Sequence, residues 1–145
     1  MARPWFIRGQ AAEGLEFLQR AIDLGPDDRS ELQSQLLAGT ALVAMVTGRT
    51  ALVAEAVDRG LALAEETGDE ISRARCLAVL TYRWFFSHFE QCQATAHEAQ
   101  TVAVAAGDPF SRDWATIMEA YSLTTRNRHD EATSVRSEER RVGKV

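Results

Sequence analysis

The residue types that could hold a metal ion or act as nucleophiles are few in this sequence, and their spacing is unfavourable. The histidines are His88, His97 and His129, and the cysteines are Cys76 and Cys92. A zinc site needs three or four converging ligands, usually with two His at i and i+4 or with paired Cys. Cys92 and His97 are five residues apart, which places them on different faces of a helix. We therefore expect no metal site and two buried, reduced thiols that pack as small hydrophobic groups.

Neighbouring carboxylates are the remaining candidates for catalysis. Glu65 and Glu66 precede Gly68, and Asp69 and Glu70 follow it. Such pairs can act as general acid and general base, but here one predicted helix ends and the next begins, so that Asp69 is expected to cap the helix and Glu70 to interact with its dipole. The sequence contains no Gly-x-Ser-x-Gly elbow for a serine nucleophile, and nothing in it suggests a group that would activate a cysteine. We expect no catalytic residue and no cofactor.

A run of aromatic residues has two possible roles, core packing and recognition. It consists of Trp84, Phe85, Phe86 and Phe89. Three consecutive aromatic side chains cover more than one face of a helix, whereas a helix of a soluble protein buries only one stripe. Some of these rings must therefore face a neighbouring part of the fold or a ligand groove. Core packing and recognition both remain open, because aromatic residues are enriched in interfaces as well.

The apolar periodicity predicts six helices and no strands. Apolar residues recur every three to four positions, and glycine or proline separates the segments. Ser30, Asp69 and Asp108 each stand where a cap is expected before a helix, and Gly68 and Gly107 each stand where one is expected after a helix. The predicted helices cover residues 8–24, 30–47, 50–67, 70–87, 90–106 and 109–125.

Two stretches of the sequence repeat each other at a spacing of 39 residues. The segment 68–73 matches the segment 107–112, and the match continues from Tyr82 to Tyr121. A period of this length is typical of solenoids, in which stacked units share one continuous core. Short connections between helices of about 17 residues favour antiparallel hairpins. We therefore predict an all-α solenoid of helical hairpins over residues 1–135.

Small residues stand where helices would cross closely. Gly39 and Gly60 lie in the middle of predicted helices, where a glycine costs about 1 kcal/mol relative to alanine. We expect both glycines to be contacts between tightly packed helices.

Composition and charge indicate a cytoplasmic protein that does not itself contact nucleic acid. The 145 residues are 46% hydrophobic, and the net charge is −5 with a single lysine, Lys144. Nucleic-acid binding needs clustered basic residues on one face. Residues 1–8 contain no apolar stretch of signal-peptide length. The longest wholly apolar run, residues 41–46, is too short to cross a membrane.

The beginning of the chain carries a pattern of glycine, alanine and leucine that resembles a known class of helical repeat. Its residues are Gly9, Gly14, Leu18, Ala21, Ile22, Leu24 and Pro26. This spacing resembles the second half of a tetratricopeptide repeat, and residues 5–22 look like the first helical repeats of LuxR-type or NB-ARC-like ATPase regulators of bacteria. Segments 39–49 and 62–69 also resemble such repeats. The resemblance implies a tetratricopeptide-like α-solenoid with a right-handed superhelix, within a transcriptional regulator.

The sequence motifs of the ATPase domain and of the DNA-binding domain of such a regulator are not recognisable in this sequence. A P-loop needs Gly-x-x-x-x-Gly-Lys-Ser/Thr to cradle phosphates, and no such run occurs. Nothing resembles the recognition helix of a DNA-binding domain. We therefore expect a fragment from the middle of a regulator, with a first repeat that begins part-way at Trp5 and with uncapped ends that self-associate.

The last residues have a different composition. A short partner helix is predicted to start at Asp130, and residues 136–145 contain four basic and two acidic residues. Because this charged tail has no repeat character, we expect it to be disordered or to be a read-through scar.

These observations favour a non-catalytic scaffold, the repeat segment of a bacterial transcriptional regulator. Its partner would be a protein, a peptide or a small-molecule inducer, held on a concave face that the first helix of each hairpin lines. Arg75, Tyr82 and Tyr121 are the candidate residues of that face. Two alternatives are a stand-alone tetratricopeptide-type adaptor and an all-helical enzyme, which would need converging Glu and His ligands.

Overall fold

The computed structural model describes the backbone of residues 10–142 and the side chains of residues 10–130. Within these residues the chain forms six helices and no strand, which confirms the prediction of an all-α fold. The helices are α1 (Ala11–Asp23), α2 (Glu31–Val46), α3 (Thr50–Thr67), α4 (Glu70–Phe85), α5 (Phe89–Ala106) and α6 (Pro109–Val142). Trp5 and Gly9, which carry part of the sequence resemblance, lie outside the described residues. None of the described helices is both long and apolar enough to cross a membrane.

Local signals set the helix ends, as the sequence predicted. The hydroxyl of Ser30 accepts a hydrogen bond from the backbone N–H of Gln33 at 3.3 Å, and this bond caps α2. Gly68 and Gly107 end α3 and α5 with φ angles of +73° and +68°. Gly48, between α2 and α3, has a φ of +71°. Residues with a Cβ atom rarely adopt these positive φ angles. Glycine therefore allows the backbone to turn at these three positions.

Helix α4 lies at the centre of the packing. Each helix contacts the next one along the chain, and α4 also contacts α2 and α6. Buried apolar residues form two clusters, one mainly from α1, α2 and α3 and one from α4, α5 and α6. Leu61 packs against both clusters. The core is therefore continuous through α3 and α4.

Gly60 allows α3 to approach α2 and α4 closely. A Cβ atom at this position would lie 2.7 Å from the Sγ of Cys76 and 3.4 Å from the Cβ of Leu37. The side chain of Cys76 is fully buried and so has little room to move. The prediction that Gly60 is a packing contact is confirmed, and Gly39 is likewise buried within α2.

Two buried aspartates connect helix starts to other helices. Asp69 caps α4 by accepting from the backbone N–H of Ser72 at 3.0 Å, and it also accepts from the hydroxyl of Ser34 in α2 at 2.6 Å. Asp108, just before α6, accepts from the Nε of Arg75 in α4 at 3.3 Å. Each carboxylate is only 7% exposed. These bonds therefore join α2 to α4 and α4 to α6.

Helix α6 is longer than the sequence predicted. A turn, a short helix from Asp130 and a tail that is disordered or a read-through scar were expected. The backbone instead continues as a single helix from Pro109 to Val142, and this does not bear on whether the tail is a scar. The helix continues because no glycine or further proline interrupts this stretch before Gly143. Arg126 and Asp130 add an i,i+4 ion pair across the expected break, with an N···O distance of 3.9 Å. The last three residues of the predicted tail lie outside the described residues.

Replacing Gly60 with alanine tests the close approach of the helices. We expect overpacking to cost about 1–3 kcal/mol, more than the roughly 1 kcal/mol that alanine contributes through helix propensity. In a Cys76→Ala background the obstructing sulfur is absent, so Gly60→Ala is expected to be neutral or stabilising there. Urea denaturation of the four proteins measures the coupling. A stabilising effect of Gly60→Ala in the natural background would contradict the packing described.

Asp69→Asn tests the buried cap. Burial is the largest influence on the pKa of Asp69 and raises it, but hydrogen bonds from Ser34 and Ser72, with the charge of Arg75, lower it below its ordinary value overall. The folded state therefore favours the ionised carboxylate, and its contribution to stability is present at neutral pH and lost in acid. We expect Asp69→Asn to cost about 1–2 kcal/mol at pH 7.

The pH dependence separates this charge effect from simple loss of packing. The difference between the natural protein and Asp69→Asn should shrink as the pH falls below about 4, because the natural carboxylate then becomes protonated as well. Urea unfolding at several pH values measures it. Asp113→Asn is the control, since Asp113 is exposed and pairs with its neighbour Arg112. A cost of Asp69→Asn that stayed constant down to low pH would argue against a role for the charge.

Candidate functional site

The aromatic residues cluster where α4 turns into α5. We call residues 84–89 the aromatic turn. Trp84 and Phe85 end α4, Phe86 is its C-terminal cap and Phe89 begins α5. Phe86 is 75% exposed, whereas the other three rings are half-buried. The aromatic turn is thus both part of the packing and part of the surface.

The exposed ring of Phe86 is held in place by its neighbours. It packs edge-to-face against Tyr82, with ring centroids 5.7 Å apart, and against Phe85 at 4.9 Å. Such aromatic pairs contribute about 0.5–1.5 kcal/mol beyond the area that they bury. Tyr82 in turn packs against the main apolar cluster. Phe86 is therefore an exposed aromatic ring whose position is fixed by contacts with Tyr82 and Phe85.

One side of Phe86 borders a small pocket, which we call the apolar pocket. Its volume is about 180 Å³. It lies between the α2–α3 turn and the end of α4. The lining residues are Met45, Gly48, Thr50, Val53, Tyr82, Arg83 and Phe86. The walls are mainly hydrophobic, and Arg83 is the one charged residue among the lining residues.

The other side of Phe86 borders a wider groove between the aromatic turn and α6. We call it the α6 groove, and its volume is about 550 Å³. The lining residues are Phe85, Phe86, Ser87, His88, Phe89, Ser122, Thr125, Arg126, His129 and Asp130. The guanidinium of Arg126 lies over the ring of Phe89, 4.3 Å from its centroid. This cation–π contact links α6 to the aromatic turn.

The three residues predicted for a concave face occupy different surroundings. Arg75 is engaged by the buried carboxylate of Asp108. Tyr82 lines the apolar pocket. Tyr121 is 61% exposed on α6. Among the described residues no hydrogen bond or ring contact joins these three side chains.

Phe86 and the two surfaces beside it were not singled out from the sequence. The available signal was the aromatic run itself, which is too long for one helix face and therefore requires at least one ring outside the core. The run does not reveal which ring, because that depends on the direction in which α4 ends. It also does not reveal Met45 and Val53, which reach the site from another helix pair.

The histidines, cysteines and carboxylates that were considered as metal ligands or nucleophiles do not form a common site in the described part of the chain. No group of three or more His, Cys, Asp or Glu side chains that could hold a metal ion occurs in the described part of the chain. Both cysteines are free and buried, as predicted. Burial raises the pKa of the Cys76 thiol to about 12 and also raises that of Cys92. Neither is therefore poised to act as a thiolate near neutral pH.

Thiol labelling tests this assignment. Cys76 and Cys92 are expected to react with a disulfide reagent at pH 8 far more slowly in the folded protein than in urea, since the reactive thiolate is scarce and shielded. A Ser87→Cys variant supplies an exposed thiol on the same chain as a positive control. Labelling of the natural cysteines at the rate of the control thiol would show that the helices open readily around them.

Comparison of the chain with protein-family models, with curated proteins and with solved structures found no match. What supports a function is accordingly the geometry of this chain.

Proposed function

We propose that this chain is a non-catalytic scaffold, a tetratricopeptide-like α-solenoid that binds a protein or peptide partner. The observation that carries the proposal is the spacing of the helix starts. Helices α1, α3 and α5 begin at residues 11, 50 and 89, and α2, α4 and α6 begin at residues 31, 70 and 109. Both series advance by 39 residues, the period of the sequence repeat. Repeated units of this kind are used mainly to build extended binding surfaces.

Features inside the helices follow the same period. The residues before α2, α4 and α6 are Ser30, Asp69 and Asp108, all of them types that favour helix caps. Gly60, where α3 approaches α4, has its counterpart one period later in Ala99, which is fully buried. Small residues at a repeated position support repeated close crossings of helices.

The pattern of contacts is compatible with stacked hairpins. Consecutive helices pack together, and α2, α4 and α6 also contact one another in that order. In the proposed arrangement these three are the first helices of antiparallel hairpins in a right-handed superhelix. Helix α1 would then be the second helix of an earlier hairpin, which agrees with the resemblance of residues 9–26 to the second half of a repeat.

The sequence resemblance supports a bacterial regulator of the LuxR or NB-ARC-like type as the setting of this scaffold. In that setting the chain would supply the surface that receives a signal, and other segments would supply the output. Candidate contact residues are Tyr82 and Tyr121, which stand one period apart on α4 and α6, together with Arg75.

Selection from a random peptide display library tests the binding function. We expect the folded chain to enrich peptides that bind it at a single site with a Kd in the micromolar range, typical of short linear peptides with about 8 kcal/mol of binding energy. Fluorescence anisotropy measures the Kd, and the urea-unfolded chain is the control. Failure to enrich any peptide beyond those that bind the unfolded chain would overturn the proposal.

A further inference from the structure

Phe86 forms a ridge between two adjoining concave surfaces. It lines both the apolar pocket and the α6 groove. The ring is 75% exposed but is held edge-on by Tyr82 and Phe85. Because the ring is already held in place, it loses little further conformational entropy when a partner packs on it. The ridge therefore has the properties of a binding hot spot, which is usually an aromatic side chain beside a pocket.

The apolar pocket has the size of a site for one side chain. Its volume of about 180 Å³ lies below the range of about 300–1,000 Å³ usual for small-molecule sites. Met45 and Val53 supply hydrophobic walls. Both residues belong to the main core cluster, so their positions are fixed by the packing of the core. A thioether such as that of Met45 adapts its shape to what enters. A large apolar side chain of a partner is the expected occupant.

Two of the three Asp, Glu, Lys or Arg side chains that line the two surfaces are arginines. Arg83 lines the pocket and Arg126 lines the groove, and Asp130 is the one carboxylate among the residues that line either surface. Arg83 pairs with Asp58 at 3.7 Å and Arg126 with Asp130 at 3.9 Å. These side chains are between 39% and 70% exposed, so the two ion pairs contribute little and are readily exchanged for others. Carboxylates of a partner can replace them.

We propose that the partner is an acidic linear peptide segment with one large apolar side chain, an inference that rests on the scaffold function proposed above. The apolar side chain enters the pocket beside Tyr82, and the peptide backbone crosses Phe86. Acidic residues on either side pair with Arg83 and Arg126. The two arginines are balanced by Asp58 and Asp130, and the whole chain carries −5. Recognition therefore depends on the contacts at the ridge and not on long-range attraction.

A short fluorescein-labelled peptide of Asp and Glu with one central Phe is the probe. Its binding to the full chain is measured by fluorescence anisotropy at low and high salt. One matched peptide has Lys in place of Asp and Glu, and another has Ala in place of Phe. We expect the acidic Phe peptide to bind, both matched peptides to bind at least about tenfold more weakly, and added salt to weaken binding.

Variants of the chain locate the binding site. Phe86→Ala should weaken binding of the probe by at least about tenfold, with an unchanged circular dichroism spectrum because the ring is exposed. Arg126→Glu should weaken binding and reduce its salt dependence. Leu24→Ala is the control for loss of an exposed apolar side chain, because Leu24 is the C-terminal cap of α1 and lines neither surface. Arg128→Glu is the control for the same charge change beside the groove but outside its lining.

The outcomes separate this inference from the function on which it rests. If library-selected peptides bind the chain but the acidic Phe peptide does not, or if Phe86→Ala leaves binding of the probe unchanged, the inference is overturned and the scaffold function stands. If neither kind of peptide binds, both are overturned. Binding of phosphatidylserine vesicles that is lost in Phe86→Ala, without binding of the peptide, would instead make the aromatic turn a membrane contact.

Discussion

The aromatic turn keeps its place because α4 is held on several sides, and one of these contacts is the close approach of α3 at Gly60. The absence of a side chain there lets the buried sulfur of Cys76 occupy the space that a Cβ would need. Protein interiors are close-packed, so a shift of α4 by even part of an ångström has to be accommodated by its neighbours. Since α4 contacts α2, α3, α5 and α6, such a shift would reach most of the fold. The positions of Tyr82 and Phe86 depend on this packing.

The buried aspartates provide a second kind of constraint, which is directional. A carboxyl group that is 7% exposed needs hydrogen-bond donors at defined positions, because an unpaired buried polar group is costly. Asp69 obtains them from α2 and from the start of α4, whereas Asp108 obtains one from Arg75. Hydrophobic contacts allow helices to slide by small amounts, but these bonds do not. They also occupy Arg75, which leaves Arg83 and Arg126 as the more available cations near the aromatic turn.

The same sequence position has different surroundings at different points along the chain. Ala78 in α4 is 2% exposed, while Ile117, one period later in α6, is 49% exposed. Tyr82 is half-buried, and Tyr121 is 61% exposed. Helix α4 is covered by α6 as well as by α5, whereas α6 has no later helix within the described residues to cover it. Apolar and aromatic residues 39 positions apart are thus more deeply buried in α4 than in α6.

The sequence by itself determined the helices, since the signals that start and end them act over a few residues. Caps such as Ser30 and Asp69 bond to backbone groups three positions ahead, and Gly68 and Gly107 supply the left-handed φ that ends a helix. Helices α2 to α6 accordingly begin within one residue of their predicted positions. The close contact at Gly60 was also predictable, because a glycine in mid-helix needs a packing reason. Where such signals are lacking, as between Thr125 and Asp130, the predicted break was wrong.

Only the tertiary structure decided how the side chains of separate helices combine. The partner of Arg75 is a carboxylate that lies 33 positions away in the chain, and the walls of the apolar pocket come from three helices, α2, α3 and α4. No local pattern encodes such distances, because they follow from the angles and offsets at which whole helices pack. For the same reason the aromatic run showed only that some ring must lie outside the core. The packing of the helices determines that this ring is Phe86.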